Sequence, residues 1–336
     1  MQQQRVLVVG GAGYIGSHMV KRLAQANCEV TTLDNLSSGH RDAVLHGDFI
    51  HADLADKRLL NQLFHARQFD AVMHFASFIQ VGESVQKPAM YYDNNVTNTL
   101  NLLDAMNTAG IRHFIFSSTA ATFGEPLYSP IDENHPQVPI NPYGRSKLFI
   151  EQILEDYDRA YQLKSVCLRY FNAAGADPNG ELGERHDPET HLIPLVLQAA
   201  SGRRSSISVF GRDYDTPDGT CIRDYIHISD LCEAHWLALQ SLRNGAGSQR
   251  YNLGNGLGFS VQEVIDSALR ITGQSIQVID AARRAGDPAR LVADSYLARQ
   301  QLGWKPQYPE LDAMLRHAWQ WEQHTIARAL TVPITS

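Results

Sequence analysis

Close to the N-terminus, a short apolar run at residues 5–9 breaks into Gly10-Gly11-Ala12-Gly13-Tyr14-Ile15-Gly16, and an amphipathic stretch follows at once. Few folds accept that order. A strand that turns this tightly into a helix brings several unpaired backbone N–H groups and the positive end of a helix dipole to one point. Glycines permit the turn and let a pyrophosphate approach the backbone closely.

The alternation continues downstream. Short apolar, β-branched runs predict strands at 29–33, 49–51, 71–75, 113–117 and 165–170. Apolar residues at three- and four-residue spacing, such as Leu59, Leu60, Leu63 and Phe64, predict helices at 17–26, 58–67, 96–109 and 146–161. Strands alternating with helices of this length imply right-handed crossovers and an α/β fold: a doubly wound parallel (Rossmann) sheet. After about residue 171 the rhythm changes. Segments 176–188 and 213–219 are rich in Gly, Pro and charge and read as loops, among short strands at 207–210, 225–227 and 275–278. The expected organisation is therefore a dinucleotide-binding domain at 1–171 and a smaller mixed α/β domain at 172–336, with part of 223–242 able to return to the first sheet.

With 43% apolar and 19% charged residues, the 336-residue chain can bury a substantial core. A net charge of −7 argues against a nucleic-acid partner, and the longest basic runs are the pairs Arg203-Arg204 and Arg283-Arg284, which suit one small anionic ligand. The four cysteines, Cys28, Cys167, Cys221 and Cys232, form no C-x-x-C, so a disulfide framework is not expected. Cys221, His227 and Cys232 match no common zinc spacing, and no metal is expected. Met1-Gln2-Gln3-Gln4 leads into the apolar run without a signal peptide, and no run of 18 apolar residues could span a membrane. A reducing, cytoplasmic location is the expectation.

Asp34, at the end of the second strand and 18 residues beyond Gly16, can accept hydrogen bonds from a ribose diol and would repel a 2′-phosphate, which favours NAD over NADP. Asn35 and Leu36 follow it rather than a phosphate-clamping arginine; Arg41 is the nearest. Asp53 ends the third strand and could meet the adenine amino group or simply face solvent. Farther along, Tyr143-Gly-Arg-Ser-Lys147 puts an ammonium one helical turn from a phenol. A free tyrosine is only ~0.1% phenolate at neutral pH. A close cation lowers its pKa by roughly 1–3 units, so this tyrosine is expected to exchange a proton with an alcohol.

The Gly-x-x-Gly-x-x-Gly loop together with Tyr-x-x-x-Lys resembles the extended short-chain dehydrogenase/reductase superfamily. Further segments resemble its UDP-glucose 4-epimerase (UDP-galactose 4-epimerase) family: His74-Phe75-Ala76, Val81-Gly82-Glu83-Ser84-Val85, Tyr91-Tyr92-Asp93-Asn94-Asn95, Phe116-Ser117-Ser118-Thr119-Ala120, Asn141-Pro142-Tyr143-Gly144, Leu168-Arg169-Tyr170-Phe171-Asn172, Arg223-Asp224-Tyr225-Ile226-His227 and Tyr251-Asn252-Leu253-Gly254. The resemblance spans about residues 6–306. It implies that Tyr143, as phenolate, takes the proton of the sugar 4-hydroxyl while tightly bound NAD takes the hydride. A 4-keto sugar then turns over in the site and is reduced on its other face. Lys147 would steady the phenolate and hold the nicotinamide ribose, and Thr119 would relay the proton.

By the same resemblance Gly10, Gly13, Tyr14, Ile15, Gly16, Asp34, Asn35, Asp53, Leu54, Phe75, Ala76, Ser77, Asn94 and Phe171, with Thr119, Tyr143 and Lys147, contact NAD. Asn172, Leu192, Val209, Phe210, Arg223, Arg284, Asp287 and Leu291 hold the UDP-sugar, the arginines because a pyrophosphate suits fixed planar donors. Some positions depart from the family: Ile79 stands where some members have lysine, His191 where others have asparagine, and Phe123 where a tyrosine is common. Leu291 occupies a gate beside the sugar's 2-substituent, where a smaller residue than tyrosine admits an N-acetyl group. The helices at 96–109 and 146–161 carry apolar stripes that could pair two chains as a homodimer or face the chain's own sheet. Competing readings are a nucleotide-sugar 4,6-dehydratase, a decarboxylase or UDP-pentose epimerase, and a non-catalytic NAD sensor. The dehydratase needs an acid directly after Thr119, where Ala120 and Ala121 stand.

Overall fold

The computed structural model describes residues 3–284 and 286–331. In chain order the elements are β1 Arg5–Val9, α1 Tyr14–Gln25, β2 Glu29–Asp34, β3 Asp48–His51, α2 Lys57–Ala66, β4 Ala71–His74, α3 Val81–Gln86, α4 Pro88–Tyr91, a π-helical turn at Tyr92–Thr97, α5 Asn98–Thr108, β5 His113–Thr119, α6 Pro142–Tyr161 and β6 Lys164–Tyr170. Then follow β7 Asn172–Ala174, α7 Leu192–Ala200, β8 Ile207–Phe210, β9 Ile222–Arg223, β10 Tyr225–His227, α8 Ile228–Arg243 and β11 Gln249–Leu253. The last elements are β12 Phe259–Ser260, α9 Val261–Thr272, β13 Val278–Ala281, β14 Arg290–Leu291, α10 Tyr296–Leu302 and α11 Leu311–Thr331. None of the described helices is long and apolar enough to cross a membrane.

The chain forms two compact units. The first runs through Tyr170 and takes in Cys232–Leu253 and Asp294–Lys305; the second holds Phe171–Leu231, Gly254–Ala293 and the chain from Pro306. Among the described residues the first unit carries a seven-stranded sheet, ordered β11-β6-β5-β4-β1-β2-β3. Every pairing in it is parallel. Parallel strands are covered on both faces, which is why Val6, Leu7, Val8 and Val9 in β1 are fully buried. Leu60, Phe64, Leu102, Met106, Ile150 and Leu154 of the flanking helices pack with Leu7, Phe114 and Phe116 of the sheet into one core.

Strand order reverses between β1 and β4. At such a switch point the loops leaving the strand ends diverge, and ligands bind in the crevice that opens there. The loops in question begin at Gly10 and Phe75. In the second unit, β13 pairs with β8, β10 with β7, and β9 lies between β12 and β14. Ile193, Val196, Leu197, Val209, Val264 and Leu315 make its core.

Three of the boundaries that differ from the sequence expectation do so for clear physical reasons. The helix expected at 146–161 begins at Pro142, because the Asn141 side chain accepts the Gly144 N–H (2.8 Å) and proline suits the first helical position. The helix expected at 96–109 is preceded by the π-helical turn, which spacing of apolar residues does not reveal. The strand expected at 275–278 lies at Val278–Ala281, in register with Ile207–Phe210.

Candidate active site

The glycine loop joins β1 to α1, and its glycines are demanded for different reasons. Gly10 has φ +79°, and a Cβ there would lie 2.5 Å from the Ala76 nitrogen, so the β1 and β4 loops touch at this point. A Cβ on Gly16 would lie 2.1 Å from the Gly10 carbonyl oxygen. On Gly13 it would meet nothing nearer than that same oxygen at 3.5 Å, which is ordinary contact. Gly13 therefore leaves open space at the start of α1, where helix N–H groups are unpaired. Asp34, buried at the end of β2, accepts from the Ala12 N–H (2.9 Å) and the Leu36 N–H (2.8 Å). Each carboxylate oxygen keeps a lone pair for a ribose hydroxyl. Asn35 donates to Asp53 (2.7 Å), which also accepts the Ala55 N–H, and Leu54 is buried beside them. The open cradle at Gly13 and the oriented Asp34 carboxylate fit a dinucleotide with an unphosphorylated 2′-hydroxyl.

These observations make a separable prediction. Gly13→Ala should leave thermal stability unchanged and weaken NAD binding by about tenfold, ~1.4 kcal/mol. Gly16→Ala should lower the melting temperature too, because its methyl has no room. Calorimetric titration beside thermal melts separates the two; equal losses of stability would contradict the assignment.

Thr119 is the last residue of β5, and α6 presents Tyr143 and Lys147 one turn apart. The Thr119 hydroxyl lies beside the Tyr143 phenol and lowers its pKa. Among the described residues no hydrogen bond joins the Lys147 ammonium to the phenol oxygen: Nζ lies 6.0 Å from the Tyr143 ring centroid and donates to Ser77 Oγ (2.8 Å) and the Ser117 carbonyl (2.9 Å). The electrostatics depart from the sequence expectation. Burial pushes the Tyr143 phenol above its ordinary range, against the opposing effect of Thr119. Burial also pushes Lys147 down to about 7, with Glu151 pulling the other way. Desolvation is the largest cause for each group and disfavours both charged forms. His74, held down to about 3 by burial and by Lys147, adds no positive charge.

Sequence reasoning missed the group behind Lys147. Glu151, one turn farther along α6, is buried and takes Arg169 Nη2 at 2.6 Å, Arg169 Nε at 3.0 Å and the Ser118 hydroxyl at 2.5 Å. Burial raises the Glu151 carboxyl, yet the Arg169 guanidinium holds it below the usual carboxylate range. The signal was present as Lys-x-x-x-Glu, an i,i+4 pair. Asn95, in the π-helical turn, is a second omission: its amide bonds both backbone groups of Phe78 and the Ser146 hydroxyl, and takes the Asn94 side-chain amide (2.9 Å). It thereby fixes the loop after β4 that carries Phe75, Ala76 and Ser77. Phe75 packs on His235, with ring centroids 5.0 Å apart, and Tyr14 meets His18 edge-on.

The remaining predicted residues lie in the second unit. Arg223 pairs with Asp287, and Leu291 is opposite Arg223 in the β9–β14 register. The Arg284 guanidinium lies 3.9 Å over the Phe210 ring. Asn172 donates to the Asp224 carbonyl (2.9 Å), and Leu192 opens α7. Val209 alternates with Phe210 and is buried in the core, which leaves its backbone for any ligand. Phe171 is half-buried, ahead of β7.

Residues 6–254 match the model of the NAD dependent epimerase/dehydratase family. The chain is 52% identical over 318 residues to a UDP-glucose 4-epimerase of Halalkalibacterium halodurans, covering 95% of each. It is similar to the crystal structure of UDP-glucose 4-epimerase from Brucella ovis in complex with NAD, with a TM-score of 0.92 and 52% identity over 94% of this chain and 97% of that one. The Bifidobacterium longum UDP-glucose 4-epimerase in complex with NAD+ and UDP gives a TM-score of 0.90 at 38% identity, covering 96% and 99%.

Proposed function

This chain belongs to the NAD dependent epimerase/dehydratase family, and on that footing we propose that it is a UDP-glucose 4-epimerase, interconverting UDP-glucose and UDP-galactose at carbon 4. The observation that carries the reading is the convergence of Thr119, Tyr143 and Lys147 at the end of β5, with no acid at Ala120 or Ala121 to expel water from carbon 6.

Bound NAD accepts and returns the hydrogen of carbon 4 with its electron pair. The chain's residues handle the proton. Tyr143 takes it from the 4-hydroxyl and gives it back to that same oxygen when the turned 4-keto sugar is reduced on its opposite face. Thr119, already beside the phenol, holds the sugar oxygen in line. Lys147, fixed by Ser77 and the Ser117 carbonyl, would hold the nicotinamide ribose and supply positive charge to the phenolate. Because burial alone raises the Tyr143 pKa, the positive nicotinamide ring is the further charge that the phenolate needs. Asn172, Leu192, the Val209 backbone, Phe210, Arg223, Arg284 and Asp287 hold the UDP portion, the two arginines against the diphosphate.

Incubation with UDP-Glc, UDP-Gal, UDP-GlcNAc and UDP-GalNAc without added reductant tests this reading, and the first two are expected to interconvert. Leu291 is shorter than tyrosine, so the N-acetylated pair is expected to react as well and Leu291→Tyr to abolish that activity alone. No turnover of UDP-GlcNAc by the unaltered protein removes the gate assignment.

The homodimer is a proposal of the same kind. Phe149 on α6 is 43% exposed and stacks on Tyr92, an apolar surface suited to a second copy. Sedimentation should give a dimer at micromolar concentration, and a monomer would contradict it. The four cysteines are buried thiols, which supports a cytoplasmic location; cell fractionation that recovers the protein elsewhere would overturn it.

A further inference from the structure

In the second unit, the loop before α7 gathers four side chains that the epimerase chemistry does not use. Glu184, His186, Glu189 and His191 offer ligand atoms that all lie within 4.8 Å of one another. His186 Nδ1 is 3.0 Å from a Glu184 oxygen and 3.7 Å from a Glu189 oxygen. His191 Nδ1 is paired with the same Glu184 oxygen and is 4.0 Å from the same Glu189 oxygen. Both imidazoles thus aim the same nitrogen at one point, and both carboxylates do likewise. Four donors bound to one tetrahedral ion at about 2.0–2.2 Å would sit roughly 3.3–3.6 Å apart, within the spread seen here.

The carboxylates are only 5% exposed. Two adjacent carboxylates so far from water need compensating charge. A divalent cation with two neutral imidazoles makes the group neutral. The framework around it is fixed. The Trp321 indole of α11 donates to the Glu184 carbonyl (3.1 Å), and Glu189 accepts the N–H groups of Thr190 (2.7 Å) and His191 (2.9 Å), which orients its carboxylate.

We propose that Glu184, His186, Glu189 and His191 form a four-coordinate Zn2+ site that fastens the loop before α7 to the start of that helix. Two nitrogen and two carboxylate donors suit zinc; calcium takes six to eight oxygens and magnesium an octahedral set. The sequence reading, which weighed only the cysteines and His227, expected no metal. The spacing Glu-x-His-x-x-Glu-x-His was its overlooked signal. All four protein positions are filled, so the site is structural and holds no place for substrate. His191 immediately precedes Leu192, so the ion would also steady the helix end that carries this residue.

The test uses the full-length protein, stripped with chelator and titrated with ZnCl2 by calorimetry, beside a His186→Ala/His191→Ala variant. One Zn2+ per chain, a rise in melting temperature on loading, and at least about 100-fold weaker binding in the variant are expected. Absence of saturable binding, or unchanged binding in a variant with a native circular dichroism spectrum, overturns the site. Should the variant not fold, the unaltered protein loaded with CoCl2 decides. Intense visible absorption of four-coordinate cobalt, displaced by zinc, supports the site, and the weak absorption of six-coordinate cobalt overturns it.

Discussion

Tyr143→Phe is expected to lower epimerisation by roughly 10²–10⁴-fold, the range over which a positioned acid–base group acts, while NAD stays bound. The phenyl ring keeps the packing at the start of α6, and the glycine loop, Asp34 and the Lys147 contacts are untouched. What is lost is the single hydroxyl that lies beside Thr119. NAD content measured on released cofactor, beside the turnover of UDP-galactose, checks both halves. Full activity removes Tyr143 from its role. Loss of NAD together with activity would make it a cofactor ligand rather than a proton carrier.

The second large effect lies one turn along the same helix. Glu151→Gln leaves the Arg169 guanidinium, whose side chain is 2% exposed, without its carboxylate. Removing one member of such a buried pair costs about 3–5 kcal/mol. Glu151→Gln combined with Arg169→Met should recover most of that loss, since both charges are then absent. Chemical denaturation of the parent and the two variants measures it, and a single variant as stable as the parent would overturn this reading. The pH dependence has a definite sign. The folded Glu151 carboxyl is held below its ordinary range, so its stabilisation is complete above about pH 4.3, the unfolded value. It disappears as pH falls through the lower folded value. Glu151 also favours the Lys147 ammonium, so the single variant should lose activity from a lower pH than the parent as pH rises.

Much of this was legible in the residues. Val6–Val9 and Phe114–Phe116 are apolar because interior parallel strands are covered on both faces, and such runs are hard to mistake. The glycine loop and Asp34 carry their chemistry in their spacing. Other features depend on partners distant in sequence. Gln249–Leu253 joins the main sheet only by pairing with Lys164–Tyr170, and nothing local says so. Glu151 becomes a support for Lys147 only once Arg169, on the next strand, is brought to it. The raised pKa of the Tyr143 phenol escapes the sequence for a related reason: proximity in the helix is visible, but desolvation, the larger effect, depends on the whole fold.

The central claim is that the chain oxidises and re-reduces one carbon without releasing what it removes. It is tested most directly with UDP-galactose deuterated at carbon 4, incubated with the purified protein in ordinary water and followed by NMR. The product should be UDP-glucose that retains the deuterium at carbon 4, with no net NADH formed. Deuterium lost to solvent, or a product altered at carbon 6, would contradict it.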